Sequence, residues 1–234
     1  MHRIYLPGTS EQLRLLLENL DLNEKSILVI GANSELLAKR LYEQSKTKIE
    51  LIVEDYESLI NAELLIERSE GTVAAKMMAF ENTDYLDSTF DLVYAQASVS
   101  SKMRNKIVKE IKRVLKPDGY FCVGEIVQLT DNTPTFVKNI WEDSALSPLH
   151  TDKIKSYYEE RNFDVIYEED LSKTLNSFYS MTAGLLKDQI NKLSEEEKSF
   201  NKKLLNRISH ESNVYLKQGG NKYIGFKTLL LKKK

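Results

Sequence analysis

From Ser26 onward the chain alternates short apolar runs with segments of helical periodicity, and that alternation leaves few folds open. Ser26-Ile27-Leu28-Val29-Ile30-Gly31 is an apolar run broken by glycine, and Leu36, Leu37, Arg40 and Leu41 follow at helical spacing. A buried strand, a tight turn and a helix fit this pattern. Ile49 to Val53 reads as a second strand with Ser58 to Glu67 as its helix. Thr72 to Ala79 is a weaker third strand, and Phe90 to Ala95 a fourth. Lys102 to Leu115 carries Ile107, Ile111, Val114 and Leu115 on one side of a helix; Pro117-Asp118-Gly119 turns the chain, and Tyr120 to Val127 is a fifth strand. Runs that are apolar throughout, separated by amphipathic helices, imply a parallel sheet covered on both faces.

The flanks complete the scheme. Leu13, Leu16, Leu17 and Leu20, with Thr9 or Ser10 as N-cap, predict an amphipathic helix within residues 1–25. Beyond the polar stretch Thr130 to Pro134, a helix over 152–161 leads into a sixth strand at Phe163 to Tyr167. Residues 175–216 read as mostly helical, with a capping box at Ser194 and Glu197, and a β-rich run from Tyr223 to Leu231 closes the chain. The expectation is a single α/β domain over residues 1–234, with lid-like helical segments at 132–150 and 172–217.

Charge and composition exclude several functions. Lys+Arg number 33 against 35 Asp+Glu, a net charge of -2, so no global positive excess draws the chain to nucleic acid or an anionic surface. The Lys232-Lys233-Lys234 run reads as a solvated end. No apolar stretch approaches the roughly 20 residues that span a bilayer, and the first residues lack the apolar centre of a signal peptide. Cys122 is the sole cysteine, which excludes an internal disulfide and fits a reducing compartment, so the expected location is cytoplasmic. His2, His150 and His210 are scattered without ligand-spaced carboxylates, giving no expected metal site.

Two segments carry a family likeness. Residues Ile107 to Phe121, with Leu115-Lys116-Pro117-Asp118-Gly119 at their turn, resemble the helix, turn and fifth strand of the class I S-adenosylmethionine-dependent methyltransferases. Asp87-Ser88-Thr89-Phe90-Asp91-Leu92-Val93 is similar to that family's approach to its fourth strand. The resemblance implies a Rossmann-like, seven-stranded, mostly parallel sheet with helices on both faces and a helical insertion before the last strand. It also implies S-adenosylmethionine as cofactor and S-adenosylhomocysteine as product.

The family's first motif, a strand carrying an acid and then three alternating glycines, aligns with Ile27 to Glu35. The glycines let the backbone turn sharply and bring N–H groups at a helix N-terminus to the methionine end of the cofactor. Gly31 is retained, Ala32 follows it, and Asn33 tolerates a left-handed conformation. Glu35 takes the last glycine position. Facing a cofactor carboxylate at ~4 Å it would cost roughly 4 kcal/mol unless it turned to solvent. Val29 stands where the family has an acid, and Ala79 about where an acid often reads the adenine amine. Glu54, at the end of the second strand, is the expected acceptor for the ribose hydroxyls, with Asp55 as its backup. Phe80, Tyr94 and Ala95 are the expected adenine flank.

A strand followed by Gly31-Ala32-Asn33-Ser34 also resembles the opening of short-chain dehydrogenases, but glycines are missing at Glu35 and Leu37, and Tyr42 with Lys46 falls in the wrong element for that chemistry. No residue can be named catalytic from the sequence. Tyr94, Gln96 and Ser98 lie on the expected acceptor rim, and Glu125 and His150 are candidate bases. Phe136, Ile140, Trp141 and Leu146, with Phe178, Tyr179, Met181, Leu185 and Leu186, suit a lid over a small organic or lipid-like acceptor, and equally a homodimer surface. Two functions follow: a methyltransferase acting on a small molecule, or a catalytically lapsed methyltransferase fold serving as a binding or assembly subunit.

Overall fold

The apolar run Ile27–Ile30 is buried along its whole length and forms β1, hydrogen-bonded on both sides by parallel neighbours. The computed structural model describes residues 4–66 and 71–234. Met1, His2 and Arg3, and the end of the predicted second helix at Glu67, lie outside the described residues. In chain order the elements are α1 (Glu11–Asn19), β1, α2 (Glu35–Ser45), β2 (Ile49–Val53), α3 (Tyr56–Ile66), β3 (Val73–Met77), β4 (Phe90–Gln96), α4 (Arg104–Val114) and β5 (Leu115–Gln128). There follow α5 (Thr135–Asp143), β6 (Leu149–His150), α6 (Ile154–Glu159), β7 (Phe163–Asp170), α7 (Thr174–Ile190), α8 (Glu195–Phe200), α9 (Lys202–Lys217) and β8 (Ile224–Lys233).

The strand order is β3-β2-β1-β4-β5-β8-β7, with β8 antiparallel to both neighbours and β6 adding a two-residue pairing to β5. This is the expected sheet with one further strand, too short to leave a pattern in the sequence. The predicted turn at Pro117-Asp118-Gly119 is absorbed into β5 as a bulge. Pairing with β4 jumps from Phe90–Leu115 to Leu92–Tyr120, and Asp118 takes the left-handed φ of 58° that the turn requires.

Alternation along the strands sorts side chains to the two faces of the sheet. Leu28, Ile30, Ile52, Val93 and Phe121 pack with Ile107 and Ile111 of α4 and Tyr158 of α6. Ile27, Val29, Leu51, Tyr94 and Cys122 pack with Leu37 and Leu41 of α2 and Leu13 and Leu16 of α1. Each such side chain withdrawn from water contributes about 1.5–3 kcal/mol of transfer free energy. A third cluster joins Val137, Ile140 and Trp141 of α5 and Leu175 and Tyr179 of α7 to Val214, Tyr215, Ile126 and Phe226. These helical segments are thus docked against the carboxyl end of β5 and the start of β8. The capping box at the start of α8 is formed as expected, Ser194 and Glu197 each accepting from the other's amide. No described helix is long and apolar enough to cross a membrane.

Candidate active site

Because β1 is flanked by β2 on one side and β4 on the other, the chain leaves β1 and β4 toward opposite directions, and the carboxyl ends of such a strand pair are where open α/β sheets bind ligands. Parallel register aligns those ends: Ile30 pairs with Ile52 and Ala95, and Val53 with Met77. Gly31, Glu54, Ala79 and the turn at 97–98 therefore lie along one edge.

Gly31 has a φ of +128°, and a β-carbon there would approach Ser98 Cβ to 2.9 Å, so the position is closed to side chains on two grounds. Ser98, a predicted rim residue, donates its hydroxyl to the Ile30 carbonyl at 2.8 Å and so braces the turn after β1 from the turn after β4. Ala97 in that second turn has a φ of 61°, and Asn33 in the first has a φ of 60°, the left-handed conformation its asparagine was expected to allow. Ala32 is half-buried and Asn33 exposed.

Glu35 departs from expectation. It does not turn to solvent; it is 4% exposed at the first position of α2. Burial raises its pKa, while its own backbone N–H and that of Asn33 face the carboxylate and act to lower it. Burial prevails, and the Glu35 pKa is raised.

Glu54 sits just past β2 and is exposed. Partial burial of its carboxyl raises the pKa, the nearby Phe80 amide acts to lower it, and the charges of Glu81 and Asp55 raise it; the net direction is upward. Asp55 is committed locally: it accepts from the Ser58 amide at 2.8 Å and the Ser58 hydroxyl at 2.7 Å, capping α3, and these bonds lower its pKa. Ala79 is exposed and bridges to Asn82. Phe80 is 5% exposed and packs in the core with Ile30 and Ile52, leaving its amide at Glu54. Ala95 is fully buried, and Tyr94 lies in the core with Val29 and Cys122, its hydroxyl donating to Gln96 Oε1 at 2.7 Å.

The other candidates have structural partners. Gln96 donates to the carbonyls of Pro7 and Thr9 at 2.7 and 2.8 Å, strapping the N-terminal segment over the end of β4. Gln12 of α1, which the sequence reading did not single out, is fully buried and donates to the Ala95 carbonyl at 3.1 Å. Only a polar residue on an otherwise apolar helix face hinted at it. Glu125 is fully buried, bound by Arg104 Nε at 2.7 Å, by Ser100 at 3.1 Å and by the Tyr158 hydroxyl, so it ties β5 to α4 and α6. His150 lies 3.6 Å from both Asp131 and Asp152 at the sheet's carboxyl edge. Among the described residues no cluster of His, Cys, Asp or Glu could hold a metal ion.

The edge just described tests whether the residues suit an adenosyl cofactor. The exposed carboxylate of Glu54 has the chemistry to accept ribose hydroxyls. The loop that aligns with the methionine end keeps Gly31 and a left-handed Asn33 but carries the buried Glu35 in place of a glycine.

Residues 7–123 match the methyltransferase domain family. The chain belongs to that family, the class I methyltransferases, whose cofactor is S-adenosylmethionine. No curated protein matches it in sequence. A putative sarcosine dimethylglycine methyltransferase from Galdieria sulphuraria superposes with a TM-score of 0.77 at 15% identity, over 96% of this chain and 84% of that one. Geranyl diphosphate C-methyltransferase from Streptomyces coelicolor A3(2), in complex with Mg2+, geranyl diphosphate and S-adenosyl-L-homocysteine, gives 0.68 at 10% identity over 96% and 77%. The [4+2]-cyclase SpnF gives 0.76 at 17% identity over 96% and 80%.

Proposed function

We propose that this chain binds S-adenosylmethionine along the edge formed by the ends of β1, β2 and β4 and methylates a small organic or lipid-like acceptor held beneath α5, α7 and α9. The observation that carries the reading is Glu54: an exposed carboxylate next to the glycine turn at Gly31, positioned to accept two vicinal ribose hydroxyls. When bound, the cofactor supplies a sulfonium-activated methyl group. The chain's own part is to orient and to exclude water. Gly31 and Asn33 give the turn after β1 its positive φ values, Ser98 fixes the two turns, and Gln96 holds Pro7 and Thr9 across the end of β4.

The acceptor class is read from the third core cluster, where Trp141, Tyr179 and Tyr215 pack the helical segments onto the sheet with aromatic side chains. It also has support in the small-molecule chemistry of the structural neighbours, which include a sarcosine dimethylglycine and a geranyl diphosphate methyltransferase. With Glu125 engaged by three donors, an acceptor already nucleophilic at neutral pH suits the site better than one requiring a buried carboxylate base.

The second reading, a lapsed enzyme kept as a binding or assembly subunit, draws on the buried Glu35. Titration calorimetry of the full chain with S-adenosylmethionine and S-adenosylhomocysteine separates the two. Micromolar binding supports the enzyme. Absence of heat and of any thermal shift at millimolar ligand favours the lapsed subunit.

A further inference from the structure

We infer that the groove between α7 and α9 is a second ligand site, one that takes a small carboxylic acid with an apolar body. Its lining residues fall between Ala183 and Lys217, and none comes from the ends of β1, β2 or β4. The inference therefore stands whether or not the nucleoside edge proposed above holds a cofactor.

The groove has a volume of about 570 Å³, the size of a small-molecule site. Ala183, Leu186 and Ile190 recur at helical spacing along α7 and, with Leu216 of α9, make up its apolar part. Asn206, Ser209 and Asn213 of α9 contribute neutral amides and a hydroxyl, and Lys187 and Lys217 contribute two ammonium groups. No Asp or Glu is among the described residues that line it. Glu211 of α9 is committed elsewhere, accepting from the Tyr179 hydroxyl at 3.0 Å and the Ser144 hydroxyl at 3.4 Å. A wall with two cations and no acid, in a chain whose net charge is -2, attracts an anion. The apolar part gives that anion's hydrocarbon a surface to cover.

Ser212 supplies a second, independent observation. It lines the groove, is only 2% exposed, and its hydroxyl has no hydrogen-bond partner among the described residues. A buried hydroxyl without a partner destabilises a fold, and alanine at the same place would not. A helical serine hidden from water can return its hydroxyl to a carbonyl one turn back, and Ser212 does not. The partner it lacks is an oxygen brought into the groove. Donated to a carboxylate, that hydrogen bond is charge-assisted and of the stronger kind. An occupant also touches both α7 and α9, so its binding energy adds to the stability of the helical pair.

Octanoate tests this on the full chain, with 1-octanol as the same hydrocarbon without the charge. Calorimetry at low ionic strength should show octanoate binding about tenfold more tightly than 1-octanol. With Lys187→Glu and Lys217→Glu combined, both at exposed positions, octanoate should weaken about tenfold or more and 1-octanol by less than about threefold. Ser212→Ala should weaken octanoate by about threefold or more while leaving the urea midpoint unchanged or raised, whereas a hydroxyl with only a structural role would lower the midpoint when removed. Glu54→Gln should leave octanoate affinity as it is. The comparison of the two probes needs no variant and so does not depend on the variants folding. Absence of heat with millimolar octanoate, equal affinity for the two probes, or an octanoate affinity unchanged in the lysine variant or in Ser212→Ala overturns the inference. A loss of octanoate binding in Glu54→Gln also overturns it, by moving the probe to the nucleoside edge.

Discussion

Ser98 stands over Gly31: a β-carbon added to Gly31 would lie 2.9 Å from Ser98 Cβ and 3.3 Å from its hydroxyl oxygen. Gly31→Ala must therefore bear both an unfavourable φ of +128° and an overlap. Each imposes about 1–3 kcal/mol when the surroundings hold firm. The two contributions are separable. In a Ser98→Gly background the overlap disappears and the backbone strain stays, so Gly31→Ala should cost less there. Urea midpoints of the four proteins check this; strictly additive losses would show that Ser98 does not confine Gly31.

Glu54 and Asp55 are adjacent acids with separate duties. Glu54→Gln should weaken S-adenosylhomocysteine binding about 10- to 100-fold, the ~1.4–3 kcal/mol of losing hydrogen bonds to a charged acceptor, and leave the melting temperature nearly unchanged because the side chain is exposed. Asp55→Ala removes the α3 cap, costing about 1 kcal/mol of stability with little effect on affinity. Since burial and then the neighbouring charges of Glu81 and Asp55 leave the Glu54 pKa raised, its acceptor form is lost on acidification earlier than for an ordinary glutamate. Affinity should fall as pH drops into that range, and the fall should be absent in Glu54→Gln.

What was legible in the sequence was whatever local pattern encodes. Ile49 to Val53 appears as a strand with the predicted bounds, and the Ser194–Glu197 capping box forms as read, because apolar runs and cap spacings act over a few residues. Gly31 and Asn33, placed by the motif resemblance, take the positive φ values that glycine and asparagine tolerate. Charge alone assigns Glu35 a repulsion that solvent would relieve, whereas its burial at the start of α2 is set by the packing around it and leaves no local pattern. Tyr94 reads as a strand-end aromatic, yet period-two alternation puts it on the core side with Val29 and Cys122. Gln96 finds its acceptors at Pro7 and Thr9, nearly ninety residues earlier in the chain, a pairing that no local window contains.

The buried pair of Arg104 and Glu125 should dominate the stability of the α4–β5–α6 face. Arg104 Nε meets Glu125 at 2.7 Å with side chains 7% and 0% exposed, and its terminal nitrogen donates to the Ser147 carbonyl at 2.6 Å. Removing one partner leaves an uncompensated buried charge, so Arg104→Met should cost about 3–5 kcal/mol. Arg104→Met with Glu125→Leu should recover part of that loss, since no isolated charge then remains. Tyr158→Phe, which removes a single donor to Glu125, should cost about 1–3 kcal/mol. Equilibrium denaturation at neutral pH distinguishes these; a double variant no more stable than Arg104→Met would refute the argument.

Glu110 supplies the clearest acid-sensitive element. Burial acts to raise its pKa, but donors outweigh it: Arg113 at 2.6 and 2.9 Å, the Thr83 hydroxyl at 2.6 Å and the Thr83 amide at 2.8 Å hold the carboxyl at about 2. A folded-state pKa below the unfolded value of about 4.3 means the carboxylate stabilises the fold fully above the unfolded value. That contribution is lost as pH falls through the folded one. The window is therefore about pH 4.5 down to 2. With Arg113 partly exposed, screening reduces the contribution to about 2 kcal/mol. Because these bonds anchor the segment after β3 to α4, next to Phe80 and Glu54, acid should loosen the proposed nucleoside edge as well as the fold. Unfolding free energy measured at about pH 5, 4, 3 and 2 should fall by roughly 2 kcal/mol more in the unmodified protein than in Glu110→Gln. Parallel curves would show that the Arg113–Glu110 pair contributes nothing that acid can remove.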